Sequence, residues 1–237
     1  MQVNGRHIRA QRYCLTSVVF LLLLVTAACR GTESITAEPA TEPPTRSTAE
    51  LETLFWARMD SARTLFTDAD VEFMTGMIGH HAQALIMAGL APTHGASATV
   101  QTLCARIINA QQDEIATMQQ WLRSRGQPVP EVLITGTTLM IHGVGDRVTH
   151  MPGMLTEEQM QGLDEAQGVD FDRLFLTYMI QHHNGAIVMV DELFSEDGAG
   201  QDELAFKLAS DINADQITEI ARMERMLSIL SRESPNR

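Results

Sequence analysis

The stretch Phe73-Met74-Thr75-Gly76-Met77-Ile78-Gly79-His80-His81 returns later in the chain as Phe175-Leu176-Thr177-Tyr178-Met179-Ile180-Gln181-His182-His183. Each copy runs on to an Ala and a Met at the same offsets, Ala84 and Met87, then Ala186 and Met189. Each is followed by Gln-x-x-Glu-Ile-x-x-Met: Gln111, Glu114, Ile115 and Met118, then Gln216, Glu219, Ile220 and Met223. Phe73, Met77, His80, Ala84 and Met87 alternate spacings of four and three, the seam of a helix that faces a partner. The second copy keeps that spacing, so one helical unit occurs twice.

Helical periodicity recurs four times, and no stretch shows sustained strand alternation. The first helix is expected from Thr67 to Leu90, with Thr67 or Asp68 as N-cap and Pro92 and Gly95 as terminators. The second runs from Ser97 to Arg125 and stops at Gly126 and Pro128. The third covers Val169 to Phe194, and the fourth Gln201 to Leu230. Short loops make each pair antiparallel, hairpins 67–126 and 169–231. Two like hairpins pair across a pseudo-twofold axis, giving an all-α four-helix bundle over 66–232. The connection 127–168 is irregular and rich in Met and His; Thr156-Glu157-Glu158 within it reads as the start of a short helix.

The beginning of the chain reads as a leader rather than part of the fold. Arg6, Arg9 and Arg12 precede an apolar run from Val18 to Val25, then Thr26-Ala27-Ala28-Cys29. This is the pattern of a bacterial lipoprotein signal over 1–28, with Cys29 lipidated and the product anchored to a membrane outside the cytoplasm, in the periplasm or at the cell surface. Residues 29–65 form a Thr-, Glu- and Pro-rich tether, with a short helix at 50–65 as an option. Losing three Arg moves the formal charge from −13 to −16, which excludes nucleic acid as a partner. Cys14 lies in the leader and Cys29 would carry lipid, so Cys104 is left without a disulfide partner.

His80 and His182 take core-facing seam positions. His81 and His183 are rotated from them by roughly 100° onto a flank. Imidazole and thioether groups interleaved on one face suit a soft ion, Cu(I) above all, and need no thiol in an oxidising compartment. The candidate ligands are Met77, His80, His81, Met87 and Met118, with Met179, His182, His183, Met189 and Met223 as their equivalents. Gln111, Glu114, Gln216 and Glu219 are polar groups on the trailing seams, fit to orient the non-ligating nitrogen of a nearby His. Met74, His142, His150, Met151 and Met154 make an accessory set; Met74 becomes Leu176 in the second copy. The reading needs these groups to converge. Imidazoles splayed into solvent, or each locked to a backbone carbonyl, would remove it.

The motifs Phe-Met-x-x-Met-Ile-x-His-His-Ala-x-Ala at 73–84, Met-Pro-Gly-Met-Leu-Thr-x-Glu-Gln-Met at 151–160 and Phe-Asp-Arg-Leu-Phe-Leu-x-x-Met-Ile-x-His-His-x-Gly-Ala at 171–186 carry a resemblance. The chain resembles the domain-of-unknown-function family three-oh-five over about 66–230. That resemblance implies a ferritin-like helical bundle, and a copper-handling role, because the family includes a periplasmic copper-binding protein of copper resistance.

The leading expectation is therefore a lipid-anchored, exported Cu(I)-binding protein that stores or passes on the ion. A second is a structural or partner-binding module whose His/Glu/Gln seam only pairs the hairpins. The third is a ferritin-like di-iron oxidase, which needs Glu three residues before a His on each of two helices. Met77 and Met179 stand there before His80 and His182, and Ile78 and Ile180 before His81 and His183. No Ser/His/Asp set, phosphate loop or Cys-x-x-Cys is present, so no catalytic residue is assigned. Homo-oligomerisation through exposed bundle faces stays open.

Overall fold

Thr67 and Asp70 open the first helix of the repeat with a capping box: the Thr67 side chain accepts from the Asp70 N–H, and the Asp70 carboxylate takes the Thr67 N–H at 2.8 Å. The computed structural model describes residues 47–63, 65–143 and 151–233. The leader, Cys29, nearly all of the tether before α1, and His150 lie outside them. Among the described residues the order is α1 (Thr48–Arg63), α2 (Asp68–Gly89), α3 (Ala98–Ser124), β1 (Glu131–Thr135), β2 (Thr138–His142), α4 (Glu157–Glu165), α5 (Gly168–Ser195) and α6 (Glu203–Glu233). The last part of the segment read as tether is thus helical, and α1 exposes Leu51, Leu54, Phe55 and Trp56.

The fold is a helical bundle. α2 packs on α3 and α5 on α6, and the two hairpins meet mainly through α2 against α5. α2 and α5 run antiparallel: a Cβ on Gly76 would lie 3.2 Å from Met189, while His80 meets His182. Two buried carboxylates repeat the symmetry. Asp70 accepts from the Gly200 N–H at 2.8 Å, and Asp172 from the Ser97 N–H at 3.2 Å. Each ties a central helix to the loop that opens the opposite trailing helix. At the Asp70 end of the bundle, the Trp121 indole donates to Asp202 at 2.9 Å, and Arg125 pairs with the same carboxylate.

α2 is buried almost all round. Such a helix must be covered on every side, and the covering comes from an element the sequence reading excluded. Strands β1 and β2 form an antiparallel hairpin, Val132 opposite Ile141 and Thr135 opposite Thr138, around a turn in which Gly136 has φ 59°. Five-residue strands are too short to show sustained alternation; the signal was the β-branched and aliphatic run on both sides of Gly136-Thr137. Leu139 and Ile141 face the bundle, half-buried, and Met140 and His142 are exposed on the other side. Ile141 reaches α2 where Gly79 leaves room: a Cβ there would meet its Cδ1 at 2.3 Å.

The Met151-Pro152-Gly153-Met154 turn covers the α2/α5 junction. Gly185 admits it, because a Cβ there would stand 1.8 Å from the Pro152 oxygen. Gly153 has φ 80°, a conformation that suits glycine, and its own missing Cβ would strike the Gln181 carbonyl at 2.6 Å. Gln83 fixes the end of the turn with two hydrogen bonds to the backbone of Leu155, at 3.0 and 2.7 Å.

Candidate metal centre

His80, His81, His182 and His183 are all 0% exposed. They form a polar layer between two apolar clusters, one around Phe73, Met74 and Trp121, the other around Phe171, Phe175 and Leu103. The inner pair stacks with ring centroids 3.8 Å apart and planes tilted by 38°. The outer rings lie 6.4 Å (His81 from His80) and 6.2 Å (His183 from His182) away. The flank assigned to His81 and His183 is not a surface, because α3 and α6 cover it.

Every one of these rings spends Nε2 on a protein acceptor. His80 donates to the Pro152 carbonyl at 3.0 Å and His182 to the His80 carbonyl at 3.0 Å. His81 donates to Glu114 and His183 to Glu219, both at 2.7 Å. A carbonyl or carboxylate oxygen can only accept, so Nε2 carries the proton in all four. In the neutral ring Nδ1 then keeps its lone pair, and among the described residues no Nδ1 of the four has a hydrogen-bond partner. The inner pair is thus locked to backbone carbonyls, but through one nitrogen only.

His94 shows what a structural histidine looks like in this fold. It is 8% exposed, and both its nitrogens are satisfied: Nε2 donates to the Asp164 carbonyl at 2.8 Å, and Nδ1 accepts from the Thr93 hydroxyl at 2.9 Å.

Electrostatics keep the inner rings neutral. Burial pushes His80 down to about 3, with help from neighbouring His81 and against the hydrogen bond to Pro152. His182 is held well below the ordinary histidine range by burial and then by His80. His183 is lowered too, by burial that outweighs the Glu219 carboxylate. Asp215 joins Glu114 and Glu219 in an acidic group; burial and then those two carboxylates raise it. Gln111 is buried with neither amide atom partnered, and Gln216 is buried with its Oε1 unpartnered.

The methionines are sorted across the hairpins rather than within them. Met77, Met118 and Met189 belong to one cluster, with Met74; Met87, Met179 and Met223 belong to the other. Each sulfur trio therefore takes its third member from the opposite central helix. The accessory set divides as well. Met74 is deep in the core, His142 is exposed on the outer side of β2, and Met151 and Met154 are half-buried in a cleft with Met160. Sequence reasoning missed the Pro152 carbonyl, which no side-chain pattern reveals, and Asp215, signalled only by its place one residue before Gln216.

Cys104 is buried beside this core, its thiol pushed up to about 12 by burial and then by Asp172. That rules it out as a ready thiolate. Among the described residues, no three His, Cys, Asp or Glu side chains gather as a chelate. An ion here would rest on few imidazoles supplemented by thioethers, which suits a soft cation and not a hard one. No described helix is long and apolar enough to cross a membrane.

The structure is similar to solved ones. A DUF305 fragment from Deinococcus radiodurans matches with TM-score 0.56 and 29% identity, over 69% of this chain and 97% of that one. A DUF305 protein from Streptomyces coelicolor matches with TM-score 0.58 and 23% identity, over 69% and 94%. CopM in its Cu(II)-bound form matches with TM-score 0.51 and 27% identity, over 67% and 95%. Its silver-bound form matches with TM-score 0.50 and 26% identity, over the same shares. No curated protein matches the chain. The model of the domain of unknown function DUF305 spans residues 70–227, and the chain belongs to that family.

Proposed function

We propose that this chain is an exported, lipid-anchored Cu(I)-binding protein that sequesters the ion or passes it on. The observation that carries the reading is the set of four buried Nδ1 atoms without partners. Leaving a buried polar atom unsatisfied costs on the order of 1–3 kcal/mol. A seam kept only to pair helices would satisfy its atoms, as His94 does in this same fold. Four unpartnered ring nitrogens in one buried layer, flanked by two thioether trios, are instead arranged for an electron-pair acceptor. The likeness to CopM, seen with copper and with silver, supports copper as the cargo.

The ligands proposed are the Nδ1 atoms of His80, His81, His182 and His183. Sulfur would come from Met77, Met118 and Met189 on one side, and from Met87, Met179 and Met223 on the other. Glu114 and Glu219 orient the outer rings and raise their basicity through Nε2–H. When bound, the ion supplies no reaction; it is cargo. Anchoring through Cys29 is proposed from the leader alone, and loss of the protein from membranes on Cys29→Ser checks it.

One observation favours the competing reading of a purely structural seam: the His182–His80 hydrogen bond joins the two hairpins directly. Titration of the full chain with Cu(I) against a competing chelator separates the two. A drop in the number of Cu(I) ions bound when all four His become Ala supports the metal site. An unchanged number bound at unchanged affinity eliminates it.

A further inference from the structure

Outside the histidine layer the molecule has a second concentration of sulfur. A cleft of about 440 Å³ opens between β2, the Met151–Leu155 turn and α4, and Met151, Met154 and Met160 all line it. Leu139 and Ile141 from the hairpin form the facing wall, and Gln83 closes the floor. The Gln83 amide is used up by Leu155 and cannot serve as a ligand. Among the described residues that line the cleft, Glu157 alone carries a charge.

A neutral thioether cannot compete with water for a hard cation, but it holds a polarisable monovalent one well. We infer that this cleft is a separate loading site for a soft monovalent cation, Cu(I) or Ag(I), bound by the sulfurs of Met151, Met154 and Met160. The choice of ion rests on the copper reading above.

Three features favour a preformed site. The Gln83–Leu155 pair of hydrogen bonds sets the end of the turn. The contact of Pro152 and Gly153 with Gly185 fixes its middle. The Pro152 carbonyl also takes the His80 N–H, so the cleft wall and the buried ring share one bond. The Met151 sulfur lies 3.4 Å from where a Cβ of Gly79 would be, beside the residue that precedes His80. The cleft therefore borders α2 at Gly79, next in sequence to His80, and Glu157 adds a negative charge that attracts a cation from solvent.

The test counts Ag(I) bound by the full-length protein in detergent, by equilibrium dialysis, for three proteins. These are the wild type, M151L/M154L/M160L, and the variant with all four paired His changed to Ala. Met→Leu removes sulfur and keeps volume, and far-UV circular dichroism checks folding. The double variant M151L/M154L, altered only at half-buried positions, serves if the triple fails to fold. The triple is expected to lose one bound Ag(I), or to bind it at least tenfold more weakly, while the His variant keeps that ion. Loss in the His variant alone overturns the cleft and leaves the buried site standing. Loss in the Leu variant alone keeps the cleft and overturns the buried site. No loss in either overturns both.

Discussion

The Nε2–H of His182 donates to the main-chain carbonyl of His80, while the two imidazoles stack with centroids 3.8 Å apart. The pseudo-twofold partners are thus not equivalent. His182 bonds to α2 itself, whereas His80 bonds to Pro152 in the connecting segment. The asymmetry makes one ring a joint between hairpins and the other a clasp for the turn.

His182→Ala removes the hydrogen bond that joins the hairpins, while the His80 carbonyl keeps its partner within α2, and opens a cavity. A loss of about 0.5–1.5 kcal/mol in unfolding free energy is expected for the hydrogen bond, with a further cavity cost. His81→Ala leaves Glu114, whose side chain is 13% exposed and can reach water, so its loss should be smaller. Urea denaturation of the metal-free protein compares the two. Equal losses would count against the joint assigned to His182.

Replacing Glu114 and Glu219 by Gln keeps the shape and removes the charge facing each outer ring. Outer partners of this kind typically contribute 10–100-fold in metal affinity. The double variant E114Q/E219Q should bind Cu(I) about that much more weakly in chelator competition, with little change in thermal stability. Unchanged affinity would mean that these carboxylates do not tune a metal ligand.

Gly185 and Gly162 give opposite expectations for the same substitution. At Gly185 a Cβ would stand 1.8 Å from the Pro152 oxygen, so Ala must displace the turn and break the His80 hydrogen bond. Such overpacking costs typically about 1–3 kcal/mol, and here the obstacle is backbone. Within α4, a Cβ on Gly162 meets nothing within 4 Å. Gly162→Ala should stabilise by about 0.5–1 kcal/mol through helix propensity. Thermal unfolding of the two variants should therefore shift in opposite directions.

The metal-free protein should lose stability as the solution is acidified below neutrality. His80, His182 and His183 are lowered by burial in the folded state, His80 to about 3. Unfolded histidines protonate near pH 6.5. Below that value the unfolded chain binds more protons than the folded one, so stability falls with pH, down to about pH 3 for His80. His80 contributes a slope that approaches roughly 1.4 kcal/mol per pH unit in that window, and His182 and His183 add to it in the same direction. Chemical denaturation between pH 7 and 5 measures it, and the variant with four Ala should show a shallower slope.

The repeat made much of this legible. His80 and His182 fell on the seam because spacing of four and three is a property of one helix, and the cap at Thr67 was readable as local chemistry. The pairing of His81 with Glu114 was within reach, since both lie in one short-looped hairpin. The hairpin β1–β2 was missed because its strands are too short for alternation to declare itself. The methionine trios were out of reach: Met87 and Met189 each join sulfurs of the other half.

Sequence alone determined the helices, their duplication and the placing of imidazole beside thioether, because these depend on neighbours within a turn or two. Tertiary structure decided which ring nitrogen stays free and which sulfurs share a cluster. It also decided that the Pro152 carbonyl belongs to the site. Those outcomes depend on the antiparallel meeting of α2 with α5, on a glycine at 79 that admits the Ile141 side chain and on one at 185 that admits the Pro152 backbone, and no local spacing encodes such contacts.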